Sequence, residues 1–358
     1  MVSSQVFLMS TTITAWDDAT GFQSFVGAGG LKEHMPDTNT DFLPVGLESL
    51  SVDSICGFDL YKDMPGRLRL FRRHNISISQ KDIDNLKARG HGTLYVPASQ
   101  KGKLHEHMVK QLPSLLRDET VPIDTKLEVL TEASVSILDQ VLTDPTSKKN
   151  IRGSVDHCRN HVDLALQGDD ARRAMMDVQP QTCFPIAHAI SVGNLSILLG
   201  LRCGIEKPAD LHELGVGATL HEIGKRLIDR DYYFRADSKA RVTNSRLKKY
   251  PIVGTDMLRK MQMVPAGALR SILEHQERLD GSGFPQELKA NDISLAARIV
   301  AICDYFDESM HAGPVHGTSR PFQILMEMRK ASYKFDSRVL MEFIRLLGTD
   351  VATEQIRA

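Results

Sequence analysis

In the C-terminal half of this 358-residue chain, His188, the adjacent pair His221-Glu222 followed by Gly224-Lys225, and Asp304 are spaced so that they could hold a metal ion. Neighbouring helical positions point about 100° apart, so an imidazole and a carboxylate side by side can both reach one ion set against the helix. A distant His and Asp would complete the shell. Nitrogen and oxygen ligands without sulfur suit iron, manganese or zinc. A second group, His275-Gln276-Glu277-Arg278, runs into Asp280-Gly281-Ser282-Gly283-Phe284-Pro285, a loop whose glycines permit positive φ. Each feature also has an ordinary reading. Lys225 and Arg278 fit helix-end cations or structural ion pairs equally well, and the 280–285 loop fits a tight turn kept for folding. His157-Cys158 with His161 has metal-like spacing but no fourth partner, and His105, His107, His311 and His316 read as solvated.

Helices must position these groups. His188 opens an apolar-faced helix carrying Ile190, Leu195, Leu198 and Leu199; His221 to Lys225 fall on a helix expected over 211–227, and Asp304 on one over 295–310. Upstream, 67–71 and 93–96 read as strands, Ser79-Gln80-Lys81-Asp82 as a capping box opening a helix that stops at Gly90, and 99–116 as an amphipathic helix. A long helical pattern from Leu127 to Leu142 follows Pro122, and the polar stretch 147–157 separates it from the remaining helices, which loops interrupt at 236–244 and 280–285. The expected organisation is mainly α: a mobile tail over 1–40, a small α/β accessory or sensor domain over 41–120, a connector helix within 121–150 and a helical domain over 151–358.

Composition narrows the function. A hydrophobic fraction of 42% with 25% charged residues is that of a globular protein, and 44 basic against 45 acidic residues exclude a bulk pull toward nucleic acid or anionic membrane. No apolar run reaches the roughly 20 residues of a membrane span, and the N-terminus lacks the basic flank of a secretory leader, so the expected location is the cytoplasm. Five scattered cysteines without a CxxC pair read as reduced thiols.

His188, HEIGK at 221–225, HQERLDGSGFP at 275–285 and RIVAICDYFD at 298–307 together resemble the HD-GYP family, metal-dependent cyclic di-GMP phosphodiesterases of the HD superfamily. The resemblance implies a C-terminal HD-superfamily helical bundle, a divalent metal and cyclic di-GMP as ligand. It also marks departures. Glu222 stands where the family has the Asp of its HD pair, Tyr250 where it has the His of an HPxxG segment, Gln276 where it has the second of two adjacent histidines, and GFP where it has GYP. His188, His221, Glu222 and Asp304 keep the ligand types of one metal, with His275 the imidazole left from the second; the resemblance therefore implies one metal or none rather than two. Gly313, His316 and Gly317 occupy positions that are basic in the family, leaving Lys225 as a phosphate partner with Arg278 and Arg320 as further ligand-binding candidates. Three functions remain open. The first is a catalytically impaired cyclic di-GMP signalling protein that binds a ligand or, through the loop Asp280, Gly281, Gly283, Phe284, Pro285, a signalling protein. The second is an active phosphodiesterase with Lys225 as a catalytic group, and the third a metal-free interaction module.

Overall fold

The computed structural model describes residues 42–348 except 48, 49, 51, 53, 54, 66, 120, 179, 230–246 and 312–319. The expected tail over 1–40, the loop at 236–244, and Gly313, His316 and Gly317 lie outside the described residues.

Four strands, β1 (Phe42–Gly46), β2 (Leu60–Met64), β3 (Arg67–Arg72) and β4 (Thr93–Pro97), form an antiparallel sheet in the order β1-β4-β2-β3. β3 and β4 fall where the residue pattern puts strands, whereas β1 and β2 carry no such pattern. β2 buries only Leu60 among polar neighbours, and β1 contains Pro44, which a strand accepts at a sheet edge. Both exist because remote strands pair with them. Helix α1 (Gln80–Ala88) starts at the expected capping box: the Ser79 hydroxyl accepts from the Asp82 N–H, and the Asp82 carboxylate accepts from the Ser79 N–H. Ile83 and Leu86 of α1, with Leu104 and Met108 of α2 (Lys101–Arg117), close the core over Val45, Phe58, Leu60 and Leu94. His107, read as solvated, is instead buried, edge-on to Phe58 at 5.4 Å. It lies on the inward face that the period of α2 turns toward the sheet.

The rest is helical: α3 (Ile123–Thr143), α4 (Lys148–Ala165), α5 (Asp169–Asp177), α6 (Phe184–Arg202), α7 (Pro208–Leu220), α8 (Ile223–Ile228), α9 (Tyr250–Met261), α10 (Ala266–Glu274), α11 (Leu295–His311), α12 (Arg320–Lys330) and α13 (Ser337–Leu346). The fold is thus mainly α, a helical bundle behind a small α/β unit. The stretch 147–157, read as a polar separator, forms the first turns of α4. The Ser147 hydroxyl caps it by accepting from the Asn150 N–H, and Ile151, Val155, Cys158 and Val162 form its buried stripe. Polar residues on the outer face hid that period.

α6 stands between two cores. Ile197 and Leu198 pack with α3, α4 and α7, while Val192, Leu195 and Leu199 pack with α11 and α13. A helix covered on most of its circumference is apolar nearly all round. By length and composition α6 would qualify as a membrane span, against the expectation that no stretch reaches that size, yet 67% of its most apolar window is buried within the fold. Its role is that of a central core helix, and it carries His188 into the interior.

Two further contacts fix the site's frame. Gly224 of α8 and Gly254 of α9 meet backbone to backbone, and a Cβ on Gly224 would run into the Tyr250 carbonyl. Arg226 Nε donates to the Leu142 carbonyl (2.9 Å), tying α8 to the end of α3.

Candidate metal centre

His188, His221, Glu222 and Asp304 converge as their types and spacing suggest, each offering a ligand atom within 4.8 Å of the others'. The helix expected over 211–227 is interrupted between them: α7 ends at Leu220, His221 and Glu222 form a turn, and α8 begins at Ile223. Glu222 leaves helical geometry (φ −99°, ψ 1°), and His221 Nδ1 donates back to the Ala218 carbonyl (2.6 Å), capping the end of α7. The break sets Glu222 beside His221 at the site.

Following each proton shows what this cluster lacks. His188 Nδ1 donates to Asp307 Oδ2 (2.7 Å) and His221 Nδ1 to Ala218 O, so both rings turn Nε2 inward, 3.2 Å apart. Asp304 Oδ1 lies 3.2 and 3.4 Å from these nitrogens, fully buried and without a hydrogen bond of its own. Two nitrogen lone pairs and a carboxylate oxygen therefore face one point that needs positive charge. Either a proton or a metal ion can supply it. Burial disfavours a charged His188, yet the neighbouring carboxylates of Asp304 and Asp307 lift its pKa to about 10, and although burial alone would raise Asp304, the imidazoles of His188 and His221 beside it hold it well below the usual carboxylate range. Burial alone would also raise Glu222, but Lys225 and then His188 and His221 draw it down. The orphaned oxygen and the all-nitrogen-and-oxygen donor set fit a divalent cation such as iron, manganese or zinc.

The neighbouring half is different. His275 is fully buried with its ring 5.0 Å from that of His221; its Nδ1 donates to the Ile272 carbonyl (2.7 Å), and its Nε2 accepts from the Tyr250 hydroxyl (2.6 Å). Its one free lone pair is already used. Burial, reinforced by His221, pushes its pKa down to about 3, so the ring stays neutral. Burial, with Glu222 and Asp304 nearby, holds the Tyr250 phenol well above its ordinary range, so the hydroxyl keeps its proton. Gln276 Nε2 donates to Asp304 Oδ2 (2.8 Å). Both residues at substituted positions thus contact ligand-type side chains.

Of the candidate phosphate partners, Lys225 is ion-paired with Glu222 and sits over the Tyr250 ring (5.1 Å to its centroid). Arg278 turns inward: Nη1 donates to the His275 and Glu277 carbonyls (3.1 and 2.8 Å), and the guanidinium stacks over Phe335. That is the structural alternative for this residue. Arg320 donates through Nε and Nη2 to the Ser309 carbonyl near the end of α11. In the 280–285 loop, Gly281 takes φ +80°, and a Cβ on Gly283 would strike the Glu277 and Arg278 backbone. Glu277, to which the sequence assigned no role of its own, anchors this loop: its buried carboxylate accepts from the Gln286 and Leu288 N–H groups (2.6 and 3.0 Å). Phe284 lies edge-on to Tyr250 at 6.3 Å.

The sequence reading also passed over Asp307 and Glu308. Asp307 follows Asp304 by three residues, a spacing that places both on one face of α11. Glu308 lies one turn beyond Asp304, and partial burial, and then the Asp304 charge, raise its pKa.

Comparison with known proteins agrees with this geometry. An HD-domain family model matches residues 175–339. A cyclic di-GMP phosphodiesterase of Pseudomonas aeruginosa is 25% identical over 183 residues, 51% of this chain and 44% of that protein. The cyclic di-GMP phosphodiesterase response regulator RpfG of Xanthomonas campestris is 36% identical over 101 residues, 28% of this chain and 26% of its own. The matched regions are under half the length of these relatives. Among solved structures, an HDG"Y"P protein from Bdellovibrio bacteriovorus superposes with a TM-score of 0.60 over 86% of this chain and 100% of that one; at 19% identity it speaks to the fold. The converging His188, His221 and Asp304 thus lie within the stretch that matches an HD domain, and over that stretch the chain is similar to cyclic di-GMP phosphodiesterases.

Proposed function

We propose that this chain is a cyclic-dinucleotide signalling protein that holds a single divalent cation at His188, His221, Glu222 and Asp304 and acts by binding a ligand or a partner, with hydrolysis impaired. The observation that carries this reading is the 2.6 Å hydrogen bond from Tyr250 to His275, which uses the one remaining lone pair of the imidazole beside the quartet. Gln276 supports it by occupying the outer oxygen of Asp304. A bound divalent cation supplies Lewis-acid activation of water and of a phosphoryl oxygen, and a single one forgoes the clamp that two metals place on attacking and leaving oxygens. The residues around it hold and orient: Asp307 fixes the His188 ring, Ala218 fixes His221, and Lys225 stands beside Glu222 as the cation for a phosphate. In this reading the sheet with α1 and α2 is an accessory or sensor unit, α3 the connector, and the loop at 280–285 a face for a signalling protein. A cytoplasmic location accompanies it.

An active phosphodiesterase is the second reading, favoured by the intact quartet with Lys225 and by the relatives' activity on cyclic di-GMP. Hydrolysis of cyclic di-GMP by the purified chain separates the two. The proposal expects turnover near background in the wild type and a gain in Tyr250→His/Gln276→His that His221→Ala abolishes. Robust wild-type hydrolysis that His221→Ala removes would establish the second reading instead.

A further inference from the structure

Phe184, the first residue of α6, keeps 42% of its surface exposed although most of that helix is buried. It precedes His188 by one helical turn, so the backbone directs both side chains to the same face. The Phe184 ring is stacked on the His188 imidazole, 5.3 Å between centroids and 23° between planes, and lies edge-on to His311 at 5.0 Å. Both imidazoles are themselves held: His188 Nδ1 donates to Asp307 Oδ2, and His311 Nδ1 donates to the Asp307 carbonyl (2.8 Å). An aromatic ring fixed from two sides, partly bare, and one ring away from a cation-binding cluster is poorly explained by core packing. Ile186 and Ile190 of the same helix fill the core beside Leu138 of α3.

Resting on the cyclic-dinucleotide reading above, we propose that Phe184 is a stacking platform for a nucleobase of the ligand, with the phosphodiester held at the quartet and Lys225. The chemistry on the page calls for a ligand that is anionic at one point and planar and aromatic at a neighbouring one. Phosphate charge is drawn to the cation and to Lys225, while the part of the Phe184 ring left exposed would meet any base, because every base has a π-face. A nucleotide has both features in one molecule. A simple phosphate monoester has only the first and gains nothing from the ring. His311, held edge-on to the ring, acts as a positioning residue for it.

The test uses the full chain loaded with manganese and a cyclic dinucleotide carrying one 2-aminopurine, whose fluorescence is quenched on stacking. The wild type is expected to bind and quench it. Phe184→Trp keeps the quenching, whereas Phe184→Leu and Phe184→Ala lose it and bind about tenfold more weakly, while the inhibition constant of inorganic phosphate, measured by displacement of the probe, stays unchanged. Equal affinity and quenching in the wild type and Phe184→Ala would overturn the platform and leave the cyclic-dinucleotide reading standing. A wild type that binds no probe would remove that reading and the platform with it. Manganese lost from Phe184→Leu along with the quenching would assign Phe184 to holding His188, which also overturns the proposal.

Discussion

Two pairs of buried histidines lie in the helical region, and they differ in where their hydrogen bonds end. His157 and His161 of α4, ring centroids 5.3 Å apart, belong to a network in which every ring nitrogen has a partner: Asn160 Nδ2 donates to His157 Nδ1, the Ser134 hydroxyl lies 2.8 and 2.9 Å from His157 Nε2 and His161 Nε2 and 2.7 Å from the Leu130 carbonyl, and His161 Nδ1 donates to Asn194 Oδ1. Asn194 Nδ2 then donates to the Met175 carbonyl. His188 and His221, 5.1 Å apart, point their inner nitrogens at each other and at a carboxylate oxygen that makes no hydrogen bond. Ring spacing is nearly the same in both. What distinguishes a candidate ligand from a core histidine is an unanswered lone pair, and by that criterion His275, answered by Tyr250, belongs with the first pair although it stands beside the second.

The largest test of this contrast removes one imidazole from each pair. His221→Ala is expected to lower metal affinity by more than the roughly 10–100-fold that outer partners of a ligand cost, whereas His157→Ala leaves metal content unchanged by elemental analysis and lowers the melting temperature. Acid sharpens it next. Burial depresses His161 from an ordinary 6.5 to about 4, so the fold favours its neutral ring; the stability it contributes is present above pH 6.5 and is lost as pH falls from 6.5 toward 4. The span corresponds to roughly 3 kcal/mol, read by urea unfolding across that range, and His161→Asn should flatten the slope. Asp307→Asn frees the His188 ring from its outer acceptor and should cost about 10–100-fold in metal affinity by titration, with little change in melting temperature. The smallest effect is expected from Tyr250→Phe, which leaves the buried His275 Nε2 unpaired at a cost of about 1–3 kcal/mol in denaturant unfolding. A neutral or stabilising result there would contradict the pairing.

The convergence of the quartet was legible because His188 and Asp304 sit on periodic helices, His221-Glu222 fall where two helices join, and their types are those of one known motif. Helical period, capping at Ser79 and the loop glycines were equally local and equally readable. The misses are non-local. β2 is a strand because β3 and β4 pair with it, the first turns of α4 are a helix because α3 covers Ile151 and Val155, and the interruption at His221-Glu222 fits the approach of Gly224 to α9. In the site, a substituted Tyr250 could be read as a poor ligand, but that its hydroxyl lands on His275 depends on a contact 25 residues away in sequence. That Arg278 Nη1 holds the His275 and Glu277 carbonyls was likewise not readable from its position in the sequence.

Metal stoichiometry tests the central claim most directly: elemental analysis of anaerobically purified wild type beside Tyr250→His/Gln276→His. One metal per chain in the wild type and two in the double variant is the expected result, since removing the phenol returns the His275 lone pair to the site. Two metals in the wild type would show that Tyr250 does not close the second position, and no metal in the wild type would show that the converging lone pairs of His188, His221 and Asp304 are satisfied by a proton alone.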